Sequence, residues 1–361
     1  MGPNATRRAR DSRTRLLVLV LATAAALALP ACPAAPLPED PYVAEVTRAA
    51  RAERADRHAE AATAYAQAAT LTEDEAVART ALYRAAQATE QAGDLETARE
   101  LYLDLADRFP GTPEAGRGLY DAARLSRTLG RDDDAIDLWL RLIRREPQCA
   151  LSDMAVRRLY QTHAEHEDLG TFDALATAEL ATSLERPPDL LAALYLFRAR
   201  ARADLDRPRE AYADIEAGLA GCAYPSCCYW DDLPWLGAQV ASDSGDHRRT
   251  IEWLDRLLQW KEECWFNGSY YSAYYDNAQR WKAEILRDDL QEPGAAAEAF
   301  LELEHFTDSV LRDDGLYEAA RLFLERLDEP SRGCAALREL LDEFPDSNRR
   351  RAAEELLARC G

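Results

Sequence analysis

Eight cysteines and five histidines are the residues of this 361-residue chain best suited to covalent or metal chemistry, and their spacing narrows what that chemistry can be. His163-Ala-Glu-His166-Glu167 sets two imidazoles one helical turn apart. It is neither H-E-x-x-H nor its inverse, and no third ligand accompanies it, so it reads as an exposed polar helix face. Cys222, Cys227, Cys228 and Cys264 are four in number, as a structural zinc site needs, but they contain no C-x2-C pair, and adjacent cysteines bind one tetrahedral ion awkwardly. G-x-S-x-G, Walker and G-x-G-x-x-G motifs are missing, and Glu/Asp pairs at helical spacing are too common in so acidic a chain to mark a general acid and base. The sequence therefore predicts no catalytic residue, no metal and no cofactor.

Disulfides use these thiols better. Cys334 opens one predicted helix and Cys360 closes the next, with a turn near Pro345 roughly midway, so antiparallel packing would bring the two side by side. The same argument brings Cys264, just past one helix, close to Cys227 or Cys228 ahead of its partner helix, and Cys222 could close onto the other member of that pair. Cys149 is left over, as a small apolar residue or a free thiol.

The elements that position these residues repeat. Gly118-Leu-Tyr-Asp-Ala-Ala-Arg-Leu125 returns as Gly315-Leu-Tyr-Glu-Ala-Ala-Arg-Leu322, with echoes at Leu82-Tyr83, Leu159-Tyr160 and Leu194-Tyr195. Ala61, Ala98 and Ala135 stand 37 residues apart, and each is followed four residues later by a ring, Tyr65, Tyr102 or Trp139. A turn residue lies five positions before each later anchor: Gly93, Gly130, Gly170 before Leu175, Asp206 before Ala211, and Gly245 before Thr250. Small residues lie twelve before: Ala49, Ala86, Ala123, Ala199 and Ala238. Small residues at facing positions let two helices approach closely while the ring fills the space beside the contact. The apolar residues, 47% of the chain, recur at helical spacing and form no alternating Val/Ile run, so an all-α fold follows.

This pattern resembles the tetratricopeptide repeat (TPR) family, with its Ala-x3-aromatic second helix followed by Pro, here Pro110, Pro147 and Pro187. The resemblance implies a right-handed α-solenoid of about eight antiparallel helix pairs over residues 42–361, anchored near 61, 98, 135, 175, 211, 250, 296 and 333. Ser347 to Cys360 would be a capping helix whose Arg349, Arg350 and Arg351 are solvated. In the fourth module His163 takes the small-residue position. By the same resemblance, helix A positions line a groove. Tyr83, Tyr120 and Tyr160 would form a row along it, continued by Trp235, with Arg124, Arg127 and Arg200 as basic points beside it for the carboxylates of a bound peptide.

Residues 222–281 differ in texture: six of the seven tryptophans fall there. The stretch containing Trp265 and Tyr270 lengthens one inter-anchor step to 46 residues and is a candidate contact surface, against the plainer reading of inter-repeat core.

At the N-terminus, five arginines precede the fourteen-residue apolar run Leu16 to Leu29, shorter than a comfortable membrane span. Leu29-Pro30-Ala31-Cys32 resembles the bacterial lipobox. The resemblance implies that residues 1–31 are a signal, that Cys32 takes diacylglycerol, and that residues 32–41 are a Pro-rich tether, with Pro30 the departure from the usual pattern. Acyl chains contribute about 0.8 kcal/mol per buried CH₂, enough for stable anchoring when several are attached. The net charge of -21 makes nucleic acid an improbable partner. The expectation is a non-catalytic scaffold on the periplasmic face of the outer membrane, binding other envelope proteins or peptides. The alternative is an accessory subunit of a peptidoglycan-acting enzyme.

Overall fold

The computed structural model describes residues 40–224, 226–259, 272–306 and 309–360. Residues 1–31, Cys32, Cys264, Trp265 and Tyr270 lie outside them. Among the described residues there are seventeen α-helices and no strand.

The helices pair in chain order: α1 (Pro41–Glu53) with α2 (His58–Thr70), α3 (Glu75–Gln91) with α4 (Leu95–Arg108), and α5 (Pro113–Thr128) with α6 (Asp132–Arg145). They continue with α7 (Ser152–Glu165) and α8 (Leu169–Leu180), α9 (Pro188–Asp204) and α10 (Pro208–Gly221), and α11 (Asp232–Asp243) and α12 (His247–Leu258). The last pairs are α13 (Tyr275–Asp288) with α14 (Pro293–Leu301) and α15 (Arg312–Glu325) with α16 (Pro330–Glu343), followed by α17 (Arg350–Leu357). Each helix packs on its sequence neighbours, and successive first helices also touch, α3 on α5, α7 on α9 and α9 on α11. This is an α-solenoid of eight TPR-like pairs with a closing helix, in which burial comes from neighbouring modules.

One device makes every hairpin. Asp56, Gly93, Gly130, Glu167, Asp206, Gly245, Gln291 and Asp328 all have positive φ, between 54° and 89°. Five residues after each comes a buried residue: Ala61, Ala98, Ala135, Phe172, Ala211, Thr250, Ala296 and Gly333. At Gly93 the left-handed residue ends α3 with the Asp94 N–H bonded to the Thr89 carbonyl, while the Asp94 side chain accepts from the Thr97 N–H at 3.1 Å and starts α4. Two adjacent residues thus close one helix and open the next. The same pair of bonds recurs at Asp168 and Asp246.

The fourth module corrects the sequence reading. Its left-handed residue is Glu167, Gly170 lies inside α8, and the anchor is Phe172, 2% exposed, rather than the half-buried Leu175. Asp168 explains the shift: its side chain caps Thr171 N at 3.4 Å, which fixes the start of α8 at Leu169, one residue before Gly170. A helical glycine costs about 1 kcal/mol relative to alanine, less than the value of a good cap. Phe172 also restores the 37-residue step from Ala135.

The rings that follow the first three anchors are buried, Tyr65 at 7%, Tyr102 at 1% and Trp139 at 1% exposure. One apolar core runs from Ala86 to Phe323, flanked by smaller clusters around α1–α3 and α15–α17. Cys334 and Cys360 are disulfide-bonded with Cα atoms 6.0 Å apart, stapling the end of the chain to the start of α16. Of the three arginines expected in solvent, Arg349 instead bonds Asp314 at 2.5 Å and lies over the Tyr317 ring. Arg350 and Arg351 form ion pairs within α17, and Arg350 also donates to the Pro345 carbonyl at 3.0 Å. No described helix is long and apolar enough to cross a membrane.

Candidate partner-binding face

The first helices α3, α5, α7, α9, α11 and α13 stand side by side and form one wall of the solenoid. In three of the Leu-Tyr pairs the leucine goes inward, Leu119, Leu159 and Leu194 being at most 3% exposed, while Leu82 is half-buried. The next residue, about 100° further round the helix, falls on the seam towards the neighbouring module. The three tyrosines of the expected row are therefore engaged internally. Tyr83 Oη donates to Asp121 at 2.8 Å on the next first helix, and its ring lies 5.5 Å from that of Tyr102. Tyr120 is buried, its Oη accepting from Arg158 Nε at 3.4 Å. Tyr160 Oη donates to Asp204 at 2.8 Å, and its ring contacts Phe172 and Phe197. Burial first, then the neighbouring carboxylates, push the Tyr83 and Tyr160 phenols well above their ordinary values.

Two of the three arginines expected beside the row are occupied. Arg124 bonds Glu90 at 2.8 Å and Asp121 at 3.0 Å, while Arg127 bonds Glu165 at 2.5 Å and Asp132 at 3.3 Å. Arg124–Glu90 and Arg127–Glu165 belong to a series of Arg–carboxylate rungs, roughly one module length apart in sequence, that also includes Arg99–Asp134, Arg131–Glu96 and Arg144–Glu179. The charge clusters at helix starts thus also tie modules together.

A different set of guanidinia lacks a carboxylate partner. Arg117, Arg157, Arg158 and Arg200 form no ion pair among the described residues, yet they surround the tyrosine row. Arg117 faces Tyr83, Arg158 touches Tyr120, and Arg200 faces Tyr160. Arg157 lies over the Phe197 ring, 5.7 Å from its centroid. Sequence reading named only Arg200. The signal for two others was present as Arg-x-x-Tyr, at Arg117 to Tyr120 and Arg157 to Tyr160, which sets guanidinium and ring on one helical face.

Further along the wall, Trp235 stacks on Tyr274, centroids 4.8 Å apart and planes 10° from parallel, and meets Trp281 at 5.3 Å. Trp253 is core, 4% exposed. Cys222 bonds Cys227 with Cα atoms 5.1 Å apart; Cys228 is free and exposed, its backbone N–H donating to Asp189 at 2.7 Å. Cys149 is a free, half-buried thiol seated on Gly116, where a Cβ would come within 2.5 Å of its sulfur. The two histidines diverge. His163 is buried, contrary to the exposed face expected of it, and burial lowers its pKa, whereas His166 Nε2 lies 2.9 Å from Asp132. Among the described residues no group of three His, Cys, Asp or Glu side chains could hold a metal ion.

No curated protein matches the chain. Solved structures with similar helical arrangement include a tetratricopeptide repeat protein from Parabacteroides merdae, 13% identical over 89% of this chain and 98% of that one, with a TM-score of 0.33. The C-terminal part of a TPR repeat-containing protein from Cytophaga hutchinsonii is 11% identical over 86% and 98%, with a TM-score of 0.41. Pseudomonas aeruginosa pilF is 11% identical over 65% and 95%, with a TM-score of 0.38. Residues 80–112 and 314–347, which hold the α3/α4 and α15/α16 pairs with their Phe-Pro endings, match the tetratricopeptide repeat family model.

Proposed function

We propose that the chain is a non-catalytic scaffold of the bacterial cell envelope that holds protein partners along its first-helix wall, tethered to the membrane by a lipid on Cys32. One observation carries the binding role: Arg117, Arg157, Arg158 and Arg200 line consecutive first helices with no carboxylate partner among the described residues, in a chain with 65 acidic and 44 basic residues whose neighbouring Arg124 and Arg127 are paired. Acidic partners are in ample supply, so guanidinia left open on one wall suit the carboxylates of another molecule. Tyr83, Tyr120 and Tyr160 act as the floor that sets the spacing of these arginines.

Partner capture from envelope membranes tests the reading. Arg117→Ala/Arg157→Ala/Arg158→Ala/Arg200→Ala should lose partners that wild type retains, with unchanged helicity; retention of every partner would discard it. Labelled palmitate should enter the wild type and not Cys32→Ala, and equal labelling of both would reject the anchor.

A further inference from the structure

The aromatic cluster at the α11/α13 end of the wall differs electrostatically from the arginine strip. Elsewhere this chain covers its rings with its own guanidinia: Arg249 lies 3.6 Å above Tyr212, Arg332 4.1 Å above Phe323, Arg256 4.3 Å above Trp253 and Arg312 4.9 Å above Phe344. Among the described residues no cation covers Trp235, Tyr274 or Trp281, which remain half-buried rather than sealed in the core.

Two carboxylates stand beside these rings. Asp232 accepts from Tyr274 Oη at 2.8 Å, and Asp231 accepts from the Asp232 N–H at 3.0 Å; neither forms an ion pair among the described residues. Burial pushes the Asp232 carboxyl up, and Asp231 adds to the rise. The Tyr274 hydrogen bond, with Arg157 and Arg200 more distant, does not bring it back. This carboxylate is under-compensated, and a nearby positive charge would stabilise its ionised form. Its neighbour Asp231 is the one carboxylate that adds to this rise.

We propose that Trp235, Tyr274, Trp281 and Asp232 form a receptor for one cationic side chain, lysine or arginine, of a bound protein partner. The rings supply their negative faces and the carboxylate supplies the counter-charge, two attractions that add where water is thinned. This inference rests on the first-helix wall being a partner-binding surface, and it gives that surface a direction. Carboxylates of the partner lie over α5 to α9, and its basic residue lies over α11 and α13.

The test uses the full chain and a tetralysine peptide capped at both ends, followed by tryptophan fluorescence at about 150 mM salt, where diffuse attraction to the acidic surface is screened. Trp235→Leu and Asp232→Asn should each weaken binding by about tenfold, while Trp235→Phe, which keeps a ring, should retain most of it. Unchanged affinity in both Trp235→Leu and Asp232→Asn, with helicity equal to wild type, would overturn the proposal. So would equal losses for Trp235→Phe and Trp235→Leu. A capped tetraglutamate peptide, tested against Arg117→Ala/Arg157→Ala, reads the arginine strip separately. Its failure would sink that strip without touching the cation receptor.

Discussion

Tyr160 and Phe172 meet edge-on, with centroids 5.6 Å apart, across the fourth helix hairpin. The corresponding pairs in the first, second, third and fifth hairpins are Ala49/Ala61, Ala86/Ala98, Ala123/Ala135 and Ala199/Ala211, every one of these alanines fully buried. A ring pair holds two helices further apart than an alanine pair, and α7 accordingly packs more extensively on α9 than on its own partner α8. Charge ties α8 to its other neighbours instead: Asp173 accepts from Arg202 and Arg207 of the fifth hairpin, and Glu179 accepts from Arg144 on α6 and from Arg186.

Phe172→Ala leaves a cavity at this joint that α8, held by its ion pairs, closes only in part. The expected loss is about 3 kcal/mol, measured by denaturant unfolding. A loss below about 1 kcal/mol would show that the hairpin collapses onto the alanine spacing of its neighbours.

Gly170 separates the observed register of α8 from the one expected from sequence. Gly170 is helical with nothing within 4 Å of a built Cβ, so Gly170→Ala should stabilise by about 0.5–1 kcal/mol. Were it the left-handed turn residue, the same change would destabilise. At Gly315 a Cβ would come within 2.6 Å of the Phe300 carbonyl oxygen, backbone that cannot give way, and Gly315→Ala should cost about 1–3 kcal/mol. Thermal melts of the two variants decide both.

Much of the architecture was legible because left-handed turn residues and small anchors recur at a fixed offset. Asp206, Gly245, Ala211 and Thr250 take the turn and anchor places read from the sequence. The fourth module failed because a glycine outranked an Asp cap in the reading, while the fold placed a glutamate in the left-handed position. The wall was only partly legible. Tyr83, Tyr120 and Tyr160 were found, but that Arg124 is paired and Arg117 is not depends on Glu90, which meets Arg124 from 34 residues away in the preceding module. Sequence spacing alone does not separate a paired guanidinium from a free one.

Stability should also depend on pH through Glu339. Burial, then the hydrogen bond and charge of Glu304 and the charge of Glu343, push its carboxyl up to about 7 against the opposing effect of Arg312. A folded-state value raised above the unfolded one means that the folded chain binds the proton more tightly. This contribution is complete below the unfolded value of about 4.3 and is lost as pH rises through the folded value. Glu339→Gln should flatten the decline between those limits in a pH series of unfolding midpoints. An unchanged slope would count against the shared proton.

Cys360→Ser removes the staple on α17. The cost is about 3 kcal/mol by loop-closure entropy, and it should appear as faster hydrogen exchange in α16 and α17 with α1 to α14 unaffected. Unreduced peptide mapping should return a 222–227 crosslink, and recovery of Cys222 and Cys227 as free thiols would reject it.

The central claim, that partners lie on the first-helix wall, is tested most directly by a photoreactive side chain. Benzoylphenylalanine is placed at position 157 on α7 or, for comparison, at the exposed position 209 on α10, a second helix. Irradiated envelopes should give a partner adduct from position 157 and none from position 209. Adducts from 209 alone, or equally from both, would contradict the account.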